Sequence, residues 1–160
     1  MFWSARQNAG MPKTKLHGAT LGGSADQVEA AFYDALQCAD LDALMACWAD
    51  EDDVVCVHPG GPRLVGVDAI RSSFAQILGH GAVHAKPERV HKVESSTSAV
   101  HNLIERVDVF TSEGVRHAYV IASNVYYKTV QGWRLVLHHA SPATADAPDQ
   151  GADTVPQTFH

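Results

Sequence analysis

Three polar residues on predicted strands carry side chains suited to proton transfer or to holding the charge it creates: His58, Asn124 and His139. A histidine has an ordinary pKa of about 6.5, so it can give or take a proton at neutral pH. A buried asparagine needs partners for both its carbonyl and its amine, which favours a bound ligand or a fixed hydrogen-bond network. If the protein is an enzyme, these residues favour proton transfer by a histidine, with Asn124 or a tyrosine holding the developing oxyanion; as a binding protein it would use them as polar contacts to a ligand.

His58 follows the β-branched run Val54–Val57 and precedes the turn 59–62, which contains two prolines and two glycines. We expect a side chain at such a strand end to face the mouth of a cavity. The alternative is a histidine that only fixes the turn by a hydrogen bond. Arg63 follows the turn and can either clamp a ligand carboxylate or remain solvated.

His138 and His139 are neighbours on the last predicted strand, so their side chains must point to opposite faces. The face of His139 also carries the more apolar residues: Trp133, Leu135 and Leu137. We therefore predict that His139, followed by Ser141, lines the interior and that His138 faces a partner subunit or solvent. A core histidine bonded to a backbone carbonyl is the alternative for His139.

For three residues the sequence does not determine which face of the sheet they occupy. Asn124 and Tyr126 share one face of a strand, and alternation alone does not identify the inner row. Glu105 lies mid-strand, where burial in an apolar interior would raise its pKa and let it act as a base. Pairing with a cross-strand arginine on the outer face is the preferred interpretation of Glu105.

The motifs of metal and cofactor sites are missing from the sequence. Ten histidines are present, but no closely spaced pair shares one face with a third ligand, so we predict no metal site. No phosphate loop, nucleophile elbow or dinucleotide fingerprint occurs, so we predict no cofactor. Five histidines are interpreted as surface residues: His17, His80, His91, His101 and His160.

The composition limits the function classes. Hydrophobic residues make up 46%, charged residues 19%, and the formal net charge is −6, which argues against nucleic acid and anionic membranes as partners. No apolar run approaches the roughly 20 residues of a membrane span. The odd number of cysteines, without a CxxC pair, favours reduced, buried thiols in a cytoplasmic protein.

The residue pattern predicts one α+β domain over 24–141, flanked by tails at 1–23 and 142–160. Ser24 with Gln27 predicts the start of a first helix, Asp40 caps a second and Asp68 a third. A short strand at 54–58 precedes the third helix. Four long strands then follow, near 83–95, 99–111, 115–130 and 132–141, as an antiparallel meander. The helices should cover one face of this curved sheet, with apolar walls from Phe32, Trp48 and Phe74.

The order of these elements, and five segments, resemble the nuclear transport factor 2-like (cystatin-like) superfamily, and within it the SnoaL-like group. The segments are 43–49, 57–60, 64–70, 122–126 and 132–141. The resemblance implies a cone-shaped sheet that encloses a pocket, and often a homodimer formed through the outer sheet face. It also favours an inward direction for Asn124. The superfamily includes isomerases, dehydratases, cyclases and non-catalytic binding domains, so fold alone does not give the reaction.

We therefore predict a cytoplasmic, cofactor-free homodimer that binds a small, mainly apolar molecule in the cone. One alternative is an isomerase, dehydratase or cyclase that uses histidine-mediated proton transfer. Another is an association domain without turnover.

Overall fold

The computed structural model describes residues 22–143, so the predicted tails lie outside it except for their innermost residues. Within the described residues there are three helices: α1 is Ala25–Gln37, α2 is Leu41–Ala46 and α3 is Val67–Gly79. Two short strands, β1 (Val55–Val57) and β2 (Arg63–Val65), lie between α2 and α3. Four long strands follow: β3 (Ala85–Glu94), β4 (Ser98–Thr111), β5 (Gly114–Thr129) and β6 (Gly132–Ala143).

The helix starts confirm two of the three predicted caps. Ser24 Oγ accepts from Gln27 N at 3.1 Å, and the Asp40 carboxylate accepts from Ala43 N at 3.0 Å. The predicted Asp68 cap is wrong, because α3 begins at Val67 and Gly66 is its N-cap, with no side-chain cap bond. Gly66 has φ 93°, which favours glycine, and the chain enters the helix two residues earlier than predicted.

The strands form one sheet in the order β2-β1-β6-β5-β4-β3. Neighbouring strands are antiparallel except β1 and β6, which are parallel. Helix α1 packs against β6 and β3, while α3 packs against α2 and β2. This confirms the predicted α+β class of three helices packed against a mainly antiparallel sheet, although the sheet does not close. The short strand β2 was not predicted from the sequence.

The apolar core lies between the helices and the sheet face that they cover, which we call the inner face. Phe32, Trp48 and Phe74, the predicted walls, are all buried in it. They pack in one cluster with apolar side chains of α1, α2, α3 and the strands, including Val28, Leu44, Ile70, Leu103 and Leu135. Burial of this apolar surface is the main force that holds the helices on the sheet.

A β-bulge in β6 decides which histidine faces inward. Tyr126 pairs with Leu135 but Val125 pairs with Leu137, so one residue of β6 is extra at this point. The buried positions of β6 are therefore Leu135, His138 and Ala140, whereas His139 is exposed. The prediction that His139 faces inward and His138 outward is wrong, because it assumed unbroken alternation along the strand.

Strand β5 pairs with β4 without a register shift, and Asn124 and Tyr126 both face inward and are fully buried. Asn124 is the register partner of His101 on β4 and of His138 on β6. His138 is in turn the partner of Cys56 on β1. The register thus places two histidines on either side of one asparagine, all three on the inner face.

The cysteines are free thiols, and Cys47 and Cys56 are buried as predicted, but Cys38 is exposed at the end of α1. Of the histidines interpreted as surface residues, His80 and His91 are exposed, His101 is fully buried, and His17 and His160 lie outside the described residues. In the part of the chain from 22 to 143, no helix combines the length and the apolar character needed to cross a membrane.

Candidate functional site

Four buried polar residues form a chain of hydrogen bonds on the inner face, which we call the polar chain: Tyr33, Glu105, Asn124 and His138. The Tyr33 hydroxyl donates to Glu105 Oε2 at 2.6 Å. Asn124 Nδ2 donates to the Tyr33 hydroxyl at 3.1 Å, and Asn124 Oδ1 lies 2.5 Å from His138 Nδ1. The residues come from α1, β4, β5 and β6, so the fold itself is needed to assemble them.

The bonds of Asn124 fix the tautomer of His138. Because the Asn124 amine is used by Tyr33, its carbonyl oxygen faces the imidazole and accepts from Nδ1–H. In the neutral ring the hydrogen is therefore on Nδ1, and Nε2 carries the lone pair. His138 is thus held as a base with its free nitrogen pointing away from Asn124.

That free nitrogen lies 4.0 Å from Glu105 Oε2, which is too long for a hydrogen bond. The polar chain is therefore a ring of polar groups with one gap, between His138 Nε2 and the Glu105 carboxyl. The side chains of His138 and Glu105 retain 6% and 9% exposure. A substrate atom would have to come within about 3 Å of both groups for proton transfer, so the surrounding side chains must move to admit it.

Burial sets the charge state of these groups. Burial, with smaller contributions from the nearby imidazoles of His58 and His139, lowers the pKa of His138 to about 3. Burial raises the pKa of Glu105, although the hydrogen bond from Tyr33 partly opposes this. Burial, helped by the Glu105 carboxyl, also raises the pKa of Tyr33, which therefore stays a donor. His138 is therefore uncharged at neutral pH.

His58 lies at the end of β1 and is half-buried. Its Nε2 lies 2.9 Å from Ser73 Oγ, and burial lowers its pKa. The imidazole packs edge-on against Phe74, with ring centres 4.9 Å apart. Phe74 contacts Phe32, which contacts His138 at 5.4 Å. A row of four rings therefore links half-buried His58 to buried His138.

The remaining predicted site residues are divided between the interior and the surface. Glu105 faces inward in the polar chain, so the preferred interpretation of an outer ion pair is wrong. Tyr126 is also inside, and its hydroxyl donates to Glu29 Oε1 at 3.2 Å. Trp48 is buried, and its Nε1 has no hydrogen-bond partner among the described residues. Three predicted residues are exposed and lie outside this cluster: Arg63, His139 and Ser141.

Sequence reasoning missed two buried polar residues of α1, Glu29 and Tyr33. Both follow an apolar residue of the helix stripe: Glu29 comes after Val28, and Tyr33 comes after Phe32. Glu29 and Tyr33 are four residues apart, and this helical spacing places both on the same buried side of α1. A carboxylate and a phenol inside an otherwise apolar stripe are the signal that would have identified them.

Other chemistry on the inner face is limited by burial. Burial raises the pKa of the Cys47 and Cys56 thiols to about 12, so neither is a nucleophile at neutral pH.

Side chains of the types that bind metal ions come together at the β3 edge of the sheet: Asp26, Glu94 and His101. They are not members of the polar chain.

Comparisons with known proteins agree with this architecture. The chain is similar to the structure of a proposed calcium/calmodulin-dependent protein kinase type II association domain from Thiobacillus denitrificans, with 31% identity and a TM-score of 0.71, covering 78% of this chain and 98% of the other. A proposed dehydratase of the NTF2-like family from Streptomyces avermitilis has 28% identity and a TM-score of 0.65, covering 74% and 93%.

A protein of unknown function with a cystatin-like fold from Nostoc punctiforme has 16% identity and a TM-score of 0.62, covering 74% of this chain and 88% of the other. At that identity the likeness concerns the fold alone. A comparison with curated proteins finds no significant match. The sequence profile of the SnoaL-like domain matches residues 26–145, three quarters of the chain, and the chain therefore belongs to the SnoaL-like family.

Proposed function

We propose that this protein is a cofactor-free acid–base enzyme that binds a small, mainly apolar molecule and carries out a dehydration or isomerisation next to a carbonyl. The observation that carries the proposal is the 4.0 Å gap between His138 Nε2 and Glu105 Oε2. The base is His138 rather than the sequence-predicted His139. The proposed dehydratase from Streptomyces avermitilis, at 28% identity, supports the reaction class.

In this proposal the substrate lies against the rings of Phe32 and Phe74 and places its reacting carbon in the gap. His138 Nε2 takes a proton from the carbon next to the carbonyl, and that electron pair forms the new double bond. The Glu105 carboxyl, whose pKa is raised by burial, gives its proton to the leaving hydroxyl, which departs as water. Return of the proton from His138 to Glu105 restores both groups.

Asn124 and Tyr33 act as positioning residues. Asn124 holds the reactive tautomer of His138, and the Tyr33 hydroxyl fixes the Glu105 carboxyl at 2.6 Å. His58 is the half-buried histidine at the other end of the ring row, and we propose that it borders the entrance. Its hydrogen bond to Ser73 fixes the position of the imidazole ring at this proposed entrance.

Exchange of carbon-bound hydrogen with solvent tests the base without knowledge of the natural substrate. The protein is incubated in D2O at neutral pH with small apolar ketones, such as 1-indanone and 2-tetralone, and loss of the signal from hydrogens next to the carbonyl is followed by NMR. We expect exchange faster than in buffer, and an exchange rate about 100-fold lower in His138→Gln, which lacks the proposed base.

His139→Gln is the matched control, because His139 is the exposed neighbour of His138 on the same strand. It should exchange the ketones as fast as the unchanged protein. The proposal fails if the unchanged protein is no faster than buffer with any of the ketones. It also fails if His139→Gln loses as much activity as His138→Gln.

A second candidate function is self-association through the sheet face opposite the helices, which we call the outer face. Several apolar side chains are exposed there, including Phe110 (64%), Ile121 (40%) and Tyr127 (52%). An open cavity of about 500 Å³ on this face is lined by Val55, Val125, Tyr127 and Leu137, among others. The likeness to an association domain at 31% identity also supports this function.

Analytical ultracentrifugation tests the association. We expect a dimer for the unchanged protein and a monomer for Ile121→Glu and Tyr127→Glu, because a charge on the apolar face opposes its burial. Val130→Glu is the control, since Val130 is fully exposed in the β5–β6 turn. A monomer at all concentrations, or a dimer unchanged by the two substitutions, would reject the association.

We also propose a cytoplasmic location, which the free thiols support.

A further inference from the structure

A second polar cluster lies at the β3 edge of the inner face, which we call the edge cluster: Asp26, Glu29, Glu94 and His101. Asp26 and Glu29 are one helical turn apart on α1, Glu94 ends β3 and His101 is on β4. His101 Nδ1 lies 2.9 Å from Glu29 Oε1. Its Nε2 points to the other two carboxylates, 3.8 Å from Asp26 Oδ1 and 3.6 Å from Glu94 Oε2.

His101 Nε2 is buried and has no hydrogen-bond partner within the described part of the chain. The His101 side chain has no exposed surface, whereas Asp26 and Glu94 are 60% and 51% exposed. A buried nitrogen without a partner is unfavourable, which favours an occupant beside it. Two carboxylates facing the same nitrogen make that occupant a cation.

The hydrogen bond to Glu29 prepares the ring for such a cation. When Nδ1–H donates to a carboxylate, the other nitrogen keeps its lone pair and becomes the ligand atom. The ligand atoms of Asp26, Glu94 and His101 all lie within 4.8 Å of one another. The two exposed carboxylates can close this distance by rotating their side chains.

We propose that Asp26, Glu94 and His101 bind one divalent transition-metal ion such as Zn²⁺, with Glu29 as the positioning residue for the imidazole. One imidazole and two carboxylates suit zinc better than calcium or magnesium, which prefer oxygen ligands throughout. Three protein ligands leave a fourth position for water or an anion. Local spacing in the sequence could not predict this site, because its ligands come from α1, β3 and β4.

Lys92 is the competitor for this site. Its Nζ lies 2.8 Å from Asp26 Oδ1 and neutralises the carboxylate that the metal would use. The Lys92 side chain is 38% exposed and flexible, so it can move aside when a metal ion binds. Removal of Lys92 should therefore strengthen metal binding, an effect that an adventitious surface site elsewhere would not show.

Isothermal titration calorimetry with ZnCl2 on the full chain tests the site. We expect one binding event that is weakened about tenfold or more in Asp26→Asn and in Glu94→Gln. Asp42→Asn is the matched control: Asp42 is also an exposed carboxylate near the start of a helix, and it pairs with Arg71 at 2.7 Å as Asp26 pairs with Lys92. It should leave the affinity unchanged.

Lys92→Ala and cobalt substitution complete the test. Lys92→Ala should bind Zn²⁺ several-fold more tightly than the unchanged protein. Co²⁺ in place of Zn²⁺ should give the visible absorption of a four-coordinate site, and Glu94→Gln should lose it. The metal site is rejected if the chain binds no Zn²⁺, or if Asp26→Asn, Glu94→Gln and Asp42→Asn bind it equally. Protonated His101 would then be the buried cation.

Discussion

His101 and His138 are buried on the same inner face, and each is the register partner of Asn124 from a neighbouring strand. Each uses Nδ1 for a hydrogen bond to one side-chain oxygen. For His138 that oxygen belongs to the Asn124 amide, and for His101 it belongs to the Glu29 carboxylate. The two rings thus share burial and backbone geometry but differ in the charge of their partners.

The pKa shifts of the two histidines are opposite. Burial lowers the pKa of His138, and no carboxylate lies within hydrogen-bond distance of it among the described residues. Burial also acts to lower the pKa of His101, but the hydrogen bond and charge of Glu29, with Glu94 and Asp26, outweigh it and raise the pKa. The inner face therefore holds a neutral histidine on β6 and, two strands away on β4, a histidine whose neighbouring carboxylates favour a positive charge.

The largest effect is expected when the partner of the neutral histidine is removed. Asn124→Ala leaves His138 Nδ1–H without an acceptor and removes the donor to the Tyr33 hydroxyl. Asn124 is fully buried, so water cannot replace either hydrogen bond. We expect the free energy of unfolding to fall by about 3 kcal/mol. Urea denaturation at neutral pH measures it.

Asn102→Ala is the control for this change. Asn102 is an exposed asparagine of β4 that donates to Ser123 Oγ at 3.0 Å. Its loss should cost less than about 1 kcal/mol, because water replaces the bond. Equal costs at the two positions would mean that the polar chain adds no stability beyond an ordinary surface bond.

The second prediction concerns pH and the neutral state of His138. The pKa of His138 is about 3 in the fold and about 6.5 in the unfolded chain, so below about pH 6.5 only the unfolded chain binds the proton. Stability from this group is therefore complete above about pH 6.5 and is lost as the pH falls toward 3. Between pH 7 and pH 5 the loss is about 2 kcal/mol.

Urea denaturation across this pH range should show a smaller decrease in His138→Gln than in the unchanged protein. His139→Gln should keep the full decrease, because its side chain is exposed. An NMR titration that finds His138 protonated near pH 6 in the fold would contradict both this prediction and its assignment as an uncharged base.

The third prediction separates the charge of Glu105 from its hydrogen bond. Because burial raises the pKa of Glu105, ionisation makes the fold less stable as the pH rises above the unfolded value, the opposite sign to His138. Glu105→Gln keeps an acceptor for Tyr33 and removes the charge. We expect the unfolding free energy at pH 8 to rise by about 1 kcal/mol, with no gain at pH 4. A loss at pH 8 would show that the carboxylate stabilises the fold.

Much of the fold could be predicted from local patterns. Ser24 and Asp40 start helices as predicted, and the turns near residues 95–97, 112–113 and 130–131 separate the four long strands. These features depend on neighbouring residues, whose hydrogen bonds and periodicity are visible in the sequence. The strand β2 was missed because its three residues are too few to show a period.

The candidate site was predicted less well, and one residue explains most of the difference. The extra residue in β6 reverses alternation beyond Leu135, so His138 rather than His139 enters the interior. Its presence follows from pairing with β5, which no pattern within β6 reveals. Glu105 and His101 were misjudged for a related reason: their partners, Tyr33 and Glu29, come from α1, 72 residues away along the chain.

The smallest effect is expected at the ion pair that borders the edge cluster. Lys92 and Asp26 are 38% and 60% exposed, so solvent screens their attraction although the atoms are 2.8 Å apart. Without added metal, Lys92→Ala should change the free energy of unfolding by less than about 0.5 kcal/mol, which salt should reduce further. Thermal denaturation at low and high ionic strength measures this. A loss above about 1 kcal/mol would mean that Lys92 is the cation that the buried His101 and its carboxylates require, and the edge cluster would then be complete without a metal ion.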